Sequence, residues 1–140
     1  MVIDHIGIVV RCLEEGIDQW VNMFGYAKRS DIVLNTRQKV KVVFLSKEHS
    51  LTVKLIQPAD SSSPVSVFAA KGGGLHHLCF RCDNLARGVS SLQQKGAVLL
   101  VRPEQGEAFG NSQIAFLMAK HNLNIELIDT LQKQGWINQP

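Results

Sequence analysis

The chain has 140 residues, 45% of them hydrophobic and 19% charged, which suits one soluble domain. Its net charge of +3 is scattered, and six Phe, two Trp and one Tyr supply too few aromatics for a base-stacking surface, which argues against nucleic acid as a partner. No apolar run approaches the roughly 18 residues of a membrane helix, and "MVIDHIGIVV" has no basic stretch before a long apolar core, so a cytoplasmic protein with no membrane partner is expected.

The first predicted strand is "HIGIVV". Leu13, Ile17, Trp20 and Phe24 then recur at spacings of three and four, one apolar face of a helix that Gly25 ends. Strands follow at roughly 31–35, at "VKVVFLS" and at "LTVKLIQ", the last two joined by a "KEHS" hairpin turn. The segment 58–74, "PADSSSPVSVFAAKGGG", reads as a linker with a short helix near "PVSVFAA". "HLCFRC" opens a second series: a helix with Leu85, Val89 and Leu92 on one face, Gly96 after it, then strands at roughly 97–102, "SQIAFLMA" and "LNIELID".

The two series are one unit repeated. Shifting the chain by 72 residues, without a gap, brings nine identical pairs into register between positions 5 and 56. His5 meets His77, Gly16 meets Gly88, Phe44 meets Phe116 and Leu55 meets Leu127. The expected fold class is therefore α+β: two βαβββ modules. The boundaries are module 1 at 2–58, a linker at 59–74, module 2 at 75–131 and a short tail at 132–140, all within one domain at 1–140.

"GGGLHHLCFRC" raises the question of a metal knuckle. Cys79 and Cys82 lie three apart inside a predicted strand, so they face opposite ways and could not share an ion. They read as small buried thiols, and with Cys12 they give no disulfide framework. His77 is the repeat partner of His5, whereas His76 is expected to face the other side of the strand, away from His77.

Paired modules opening with DHI- and HHL-type strands resemble the vicinal oxygen chelate superfamily, which includes glyoxalase I, extradiol dioxygenases, fosfomycin and bleomycin resistance proteins, and methylmalonyl-CoA epimerases. "IDHIGIVV", "SPVSVFAAKGGGLHHLCFRCDNL", "RPEQGEAFGNSQIAFL" and "NIELID" resemble stretches of the epimerases in the same order. The resemblance implies curved mixed sheets around a cup-shaped pocket, with ligands for one divalent metal (Zn, Co, Ni, Mn or Fe) from the first and last strand of each module. The repeat supplies the positions: His5 and His77, then Lys54 and Glu126. His5, His77 and Glu126 form the implied metal set, and Glu126 is the implied proton-transfer group.

Two departures matter. Lys54 stands where a neutral or acidic ligand is expected, and an ammonium about 4 Å from a divalent ion is repelled by roughly 8 kcal/mol at an effective dielectric near 20. Arg37 stands where the epimerases carry a second proton-transfer glutamate, and arginine is a poor base. Arg37, Lys54 and Arg81 are instead candidate binding groups for an anionic substrate. Two functions are therefore expected in competition. One is a glyoxalase- or epimerase-like isomerase or lyase that moves a proton on a small carbonyl or acyl-thioester substrate with metal assistance. The other is a metal-free small-molecule binding protein of the bleomycin-resistance type, with Lys54 replacing a ligand. A homodimer is expected to close the pocket.

Overall fold

The computed structural model describes residues 1–137. The chain opens with strand β1 (Val2–Val9) and helix α1 (Leu13–Phe24), followed by β2 (Ala27–Lys28), β3 (Val33–Asn35), β4 (Val40–Ser46) and β5 (Thr52–Pro58). A short helix α2 (Ser66–Ala70) leads into β6 (Gly74–Arg81), α3 (Leu85–Gln94), β7 (Val98–Gln105), β8 (Gln113–Ala119) and β9 (Leu123–Ile128). The element order matches the expected series, with β2 as an addition whose two residues are too short to leave a periodic signal. Gly25 closes α1 in the left-handed conformation, φ 73°, and its N–H reaches the Val21 carbonyl.

The strands form one curved, unclosed mixed sheet in the order β2-β4-β5-β1-β6-β9-β8-β7, with β3 beside β4. At its centre β1 and β6 pair antiparallel, and each has a parallel outer partner, β5 for β1 and β9 for β6. The parallel registers repeat. Gly7 lies opposite Lys54, and their partners at the 72-residue offset, Cys79 and Glu126, lie opposite each other.

Strand alternation decides which face each side chain takes. Val43, Leu45, Val53 and Leu55 turn outward and pack with Leu13 of α1. Ala115, Leu117 and Leu127 do the same with Leu85 and Val89 of α3. Between them Val42, Phe44, Ile56, Ile114 and Ile128 turn inward and form a third cluster with Cys79 and Phe109. The same parity carries Lys54 and Glu126 to the inner face.

Gly16 and Gly88 let the helices sit close to the sheet. A Cβ on Gly88 would meet Cys82 Sγ at 2.8 Å and Leu127 Cδ2 at 2.9 Å; one on Gly16 would meet Val10 Cγ1 at 3.1 Å and Leu55 Cδ1 at 3.2 Å. Val10 with Cys82 and Leu55 with Leu127 are themselves repeat partners, so both halves solve this contact identically.

All three cysteines are free. His49 and His121 occupy matching exposed turns, each at φ 62°. Trp136 caps the sheet within its own chain: it bridges to Ser30, and its ring lies 6.2 Å from that of Phe44. Residues 138–140 of the expected tail lie outside the described residues. No helix among the described residues is long and apolar enough to cross a membrane.

Candidate functional site

Glu126 is fully buried, and three side chains converge on its carboxylate. His5 Nε2 lies 3.0 Å and His77 Nε2 3.2 Å from Oε1, and Lys54 Nζ lies 3.4 Å from Oε2. The four positions picked out by the repeat therefore meet at one point. Phe109 supplies an unexpected floor, with its ring stacked at 5.9 Å on His5 and Lys54 Nζ 5.0 Å from its centroid. It sits in a three-residue 3-10 turn after β7, too short to show as a periodic pattern.

Two β-bulges orient the histidines. Between Ile3 and His5 the β6 partner advances only from Phe80 to Cys79, which leaves Asp4 as the extra residue. Between Gly7 and Ile8 it jumps from His77 to Leu75, which leaves His76 as the extra residue. A bulge breaks the two-residue alternation and re-aims a side chain. Asp4 Oδ2 accepts a hydrogen bond from His5 Nδ1 at 2.8 Å, and His76 Nδ1 lies 2.8 Å from His77 Nδ1. Strict alternation predicts that His76 faces away from the cup; the bulge brings it back beside His77, which corrects that expectation. Asp4 and His76 are themselves 72 residues apart, so the repeat carries the signal for both.

Asp4 also accepts from Arg81 Nη1 at 3.0 Å and lies 3.1 Å from Lys133 Nζ. Burial alone would raise the Asp4 carboxyl, but the His5 hydrogen bond and the Lys133 charge bring it below its ordinary value. Arg81 thus braces His5 through Asp4. Arg37 is exposed; its guanidinium donates to Gln105 Oε1 at 3.3 Å, in a turn that Thr36 ties to Glu107. Neither arginine lines the inner cavity beside Glu126.

Burial would also raise Glu126, yet the Lys54 charge, then His77 and His5, hold it well below the usual carboxylate range. Burial pushes His77 down to about 4 against the pull of Glu126, so its imidazole is neutral near pH 7. Burial, then the Lys54 charge, also lowers His76. Burial raises the Cys79 thiol, leaving an inert side chain although it lies near Asp4 and His5.

His5, His77 and Glu126 could hold a metal ion: their ligand atoms all lie within 4.8 Å of one another. The second test is charge and lone-pair direction. His77 Nε2 is buried and lies off the hydrogen-bonding direction to Glu126, which leaves it without a hydrogen-bond partner. His5 gives its Nδ1 proton to Asp4, so its Nε2 either carries a second proton or offers a lone pair to a cation. Both features suit a metal. Lys54 does not, because its ammonium is bonded to the same carboxylate and is only 3% exposed. Against the repulsion of roughly 8 kcal/mol expected for that geometry, the four residues as a set do not fit a divalent ion.

Beside this cluster lies a cavity of about 200 Å³. Its polar lining is Gln38, Lys54, His76, His77 and Asn124; Val40, Ile56, Val65, Leu100 and Phe116 provide apolar wall. Asn124 Nδ2 holds the bulged His76 carbonyl at 3.3 Å. A wider hollow of about 580 Å³ between α1 and the 47–50 turn is open to solvent and far from Glu126 in the sheet.

Gly7 creates the room for His77, because a Cβ there would overlap the edge of the His77 ring at Cε1. Gly7→Ala is expected to destabilise the protein by about 1–3 kcal/mol through overpacking. It should also displace the His77 ring, seen as a shift of its imidazole resonances by NMR; unchanged resonances and stability would contradict this packing.

The fold and the buried His-Lys-His-Glu cluster define a glyoxalase-like site. Residues 4–116 match the Glyoxalase/Bleomycin resistance protein/Dioxygenase superfamily, and the chain belongs to it. The uncharacterized protein YqjC of Bacillus subtilis is 31% identical over 135 residues, covering 95% of this chain and 93% of that protein. The mitochondrial methylmalonyl-CoA epimerase of Dictyostelium discoideum is 28% identical over 133 residues, 94% of this chain and 78% of that protein. A variant of the Streptomyces coelicolor methylmalonyl-CoA epimerase, in complex with 2-nitronate-propionyl-CoA, has a TM-score of 0.81 at 26% identity, covering 94% of this chain and 98% of that one.

Proposed function

We propose that the protein binds the acyl end of an acyl-CoA thioester and moves a proton at the carbon next to the thioester carbonyl, with Glu126 as the proton acceptor. The observation that carries this reading is the convergence on Glu126 of Lys54 and His77, two residues that line a largely apolar cavity. At about 200 Å³ the cavity is smaller than the roughly 300–1,000 Å³ of a site for a drug-sized ligand, so it suits an acyl group whose carrier stays outside. The named epimerase relatives support the substrate class.

The chemistry follows from competition for Lys54. While its ammonium is bonded to Oε2, Glu126 is a weak base. A thioester oxygen entering the cavity draws Lys54 N–H donors toward itself, which strengthens Glu126 as a base and prepares a donor for the developing oxyanion. The proton passes from carbon to Glu126, the C–H electron pair forms the C=C bond of the enolate, and the C=O π pair moves onto the oxygen. His77 Nε2, buried and unpartnered, is the further group positioned to meet a ligand.

One observation favours a second reading, a metal-free binding protein. Among the described residues no carboxylate lines the cavity directly: Glu126 stands behind Lys54 and His77, which do, and Arg37 stands where the resemblance implies a second acid. Returning the proton to the opposite face of the carbon then lacks a partner. The two readings separate in one experiment. Methylmalonyl-CoA incubated with the protein in D2O and followed by proton NMR should lose its α-proton faster than it epimerises. Saturable binding without deuterium incorporation would support the binding protein; neither binding nor incorporation would sink both readings.

A further inference from the structure

We infer that Lys54 is a tethered cation occupying the role of a divalent metal, so that the site is built to work without one and selects an anionic oxygen through its ammonium. The inference deepens the proposed function and depends on it only for the identity of the ligand that brings the oxygen.

Position comes first. Lys54 and Glu126 are repeat partners on equivalent strands, in equivalent register, turned to the same inner face. The lysine therefore stands within the ring of converging groups, not at its margin. Its ammonium is 3.4 Å from Glu126 Oε2 and 5.0 Å from the centroid of Phe109, two contacts that suit a cation. A side chain this long could reach solvent from a strand with an open face, but here it is buried.

Its donors come second. An ammonium has three N–H groups, and among the described residues Glu126 is the one hydrogen-bond acceptor found for Lys54. Lys54 lines the cavity beside His76 and His77, so the remaining donors are available to a ligand there. A compact ammonium recognises a carboxylate or an enolate-like oxygen as a point charge and needs no bidentate fork. The ligand class is thus a small anion, or a carbonyl compound that becomes anionic at oxygen, with a short apolar substituent for the Val40, Ile56 and Phe116 wall.

The test is cobalt binding by EDTA-treated protein, read by visible absorption and calorimetry. Wild type is compared with Lys54→Gln, which supplies a neutral donor, and Lys54→Met, which only removes the charge. Both variants should take up one equivalent of Co2+ at least about 100-fold more tightly than wild type. His77→Ala in the Lys54→Gln background should abolish that uptake. The variants leave Glu126 without its partner, so cobalt should also raise their thermal midpoints, which guards against a folding defect passing for weak binding. Wild type taking one equivalent as tightly as the variants, in a His77-dependent way, would overturn the inference. So would folded variants that bind no cobalt. Should both variants fail to fold even with cobalt, zinc added to EDTA-treated wild type decides: an unchanged thermal midpoint supports the inference and a raised one overturns it. None of these measurements reads thioester turnover, so their failure and failure of the proposed function are distinguishable.

Discussion

Glu126→Gln is expected to destabilise the protein by about 3–5 kcal/mol, because it leaves the Lys54 ammonium buried without its counter-charge. For a chain of this size that corresponds to a fall of roughly 10–15 °C in thermal midpoint. The glutamine keeps shape and volume, so packing around Phe44 and Phe109 is not the cause. Pairing the change with Lys54→Met removes both charges together, and the double variant should regain much of the loss. A double-mutant cycle measures that recovery as a coupling energy. Additive losses would show that the 3.4 Å contact carries no weight. On the proposed chemistry, Glu126→Gln should also slow α-proton exchange by about 10²–10⁴-fold, the usual range for loss of a general base. The stability result and the exchange result test different statements: the first concerns the buried pair, the second the role given to Glu126.

The repeat makes most of the site legible in the amino-acid sequence. A 72-residue offset places His5, Lys54, His77 and Glu126 at equivalent points, and the parallel registers show why: a residue on an outer strand inherits its face from the residue opposite it on the central strand. Alternation fails where the chain departs from it. It misplaces His76 because a bulge inserts one residue into the ladder, and the glycines beside it, Gly7 and Gly74, do not say which residue is inserted. Arg81 and Arg37 carry charge suited to an anion, but their reach is set by long-range partners. Asp4 holds Arg81 from the neighbouring strand, and Gln105 of β7 accepts from Arg37. Phe109 escapes pattern for another reason: a three-residue turn has no period, and only tertiary contact with His5 and Lys54 shows what it does. Local pattern thus locates what the strands position, and misses what bulges and loops add.

Stability should fall by about 2 kcal/mol as pH is lowered from 7 to 5, and by about 3 kcal/mol at pH 4, because His77 is held near 4 when folded and titrates near 6.5 when unfolded. The sign follows from proton binding. Between these two values the unfolded chain takes up a proton that the folded chain refuses, so acid favours unfolding throughout the window and has little effect above it. Asp4 and Glu126 act the same way in a lower range. Both are held below their ordinary values in the fold, so their contribution is present above about pH 4 and disappears as pH falls through the folded values. The two windows can therefore be told apart. Urea unfolding at pH 7, 6 and 5, with a constant dependence on denaturant, reports the His77 window almost alone. His77→Gln should lower stability at pH 7 yet flatten most of the decline between pH 7 and 5. His76, also held low by burial, would leave a shallower slope of the same sign. A wild-type profile that is flat across this range would mean that His77 takes up its second proton as readily in the folded as in the unfolded state. A charged imidazolium would then stand 3.2 Å from the Glu126 carboxylate, and Nε2 would not be free to accept from a ligand.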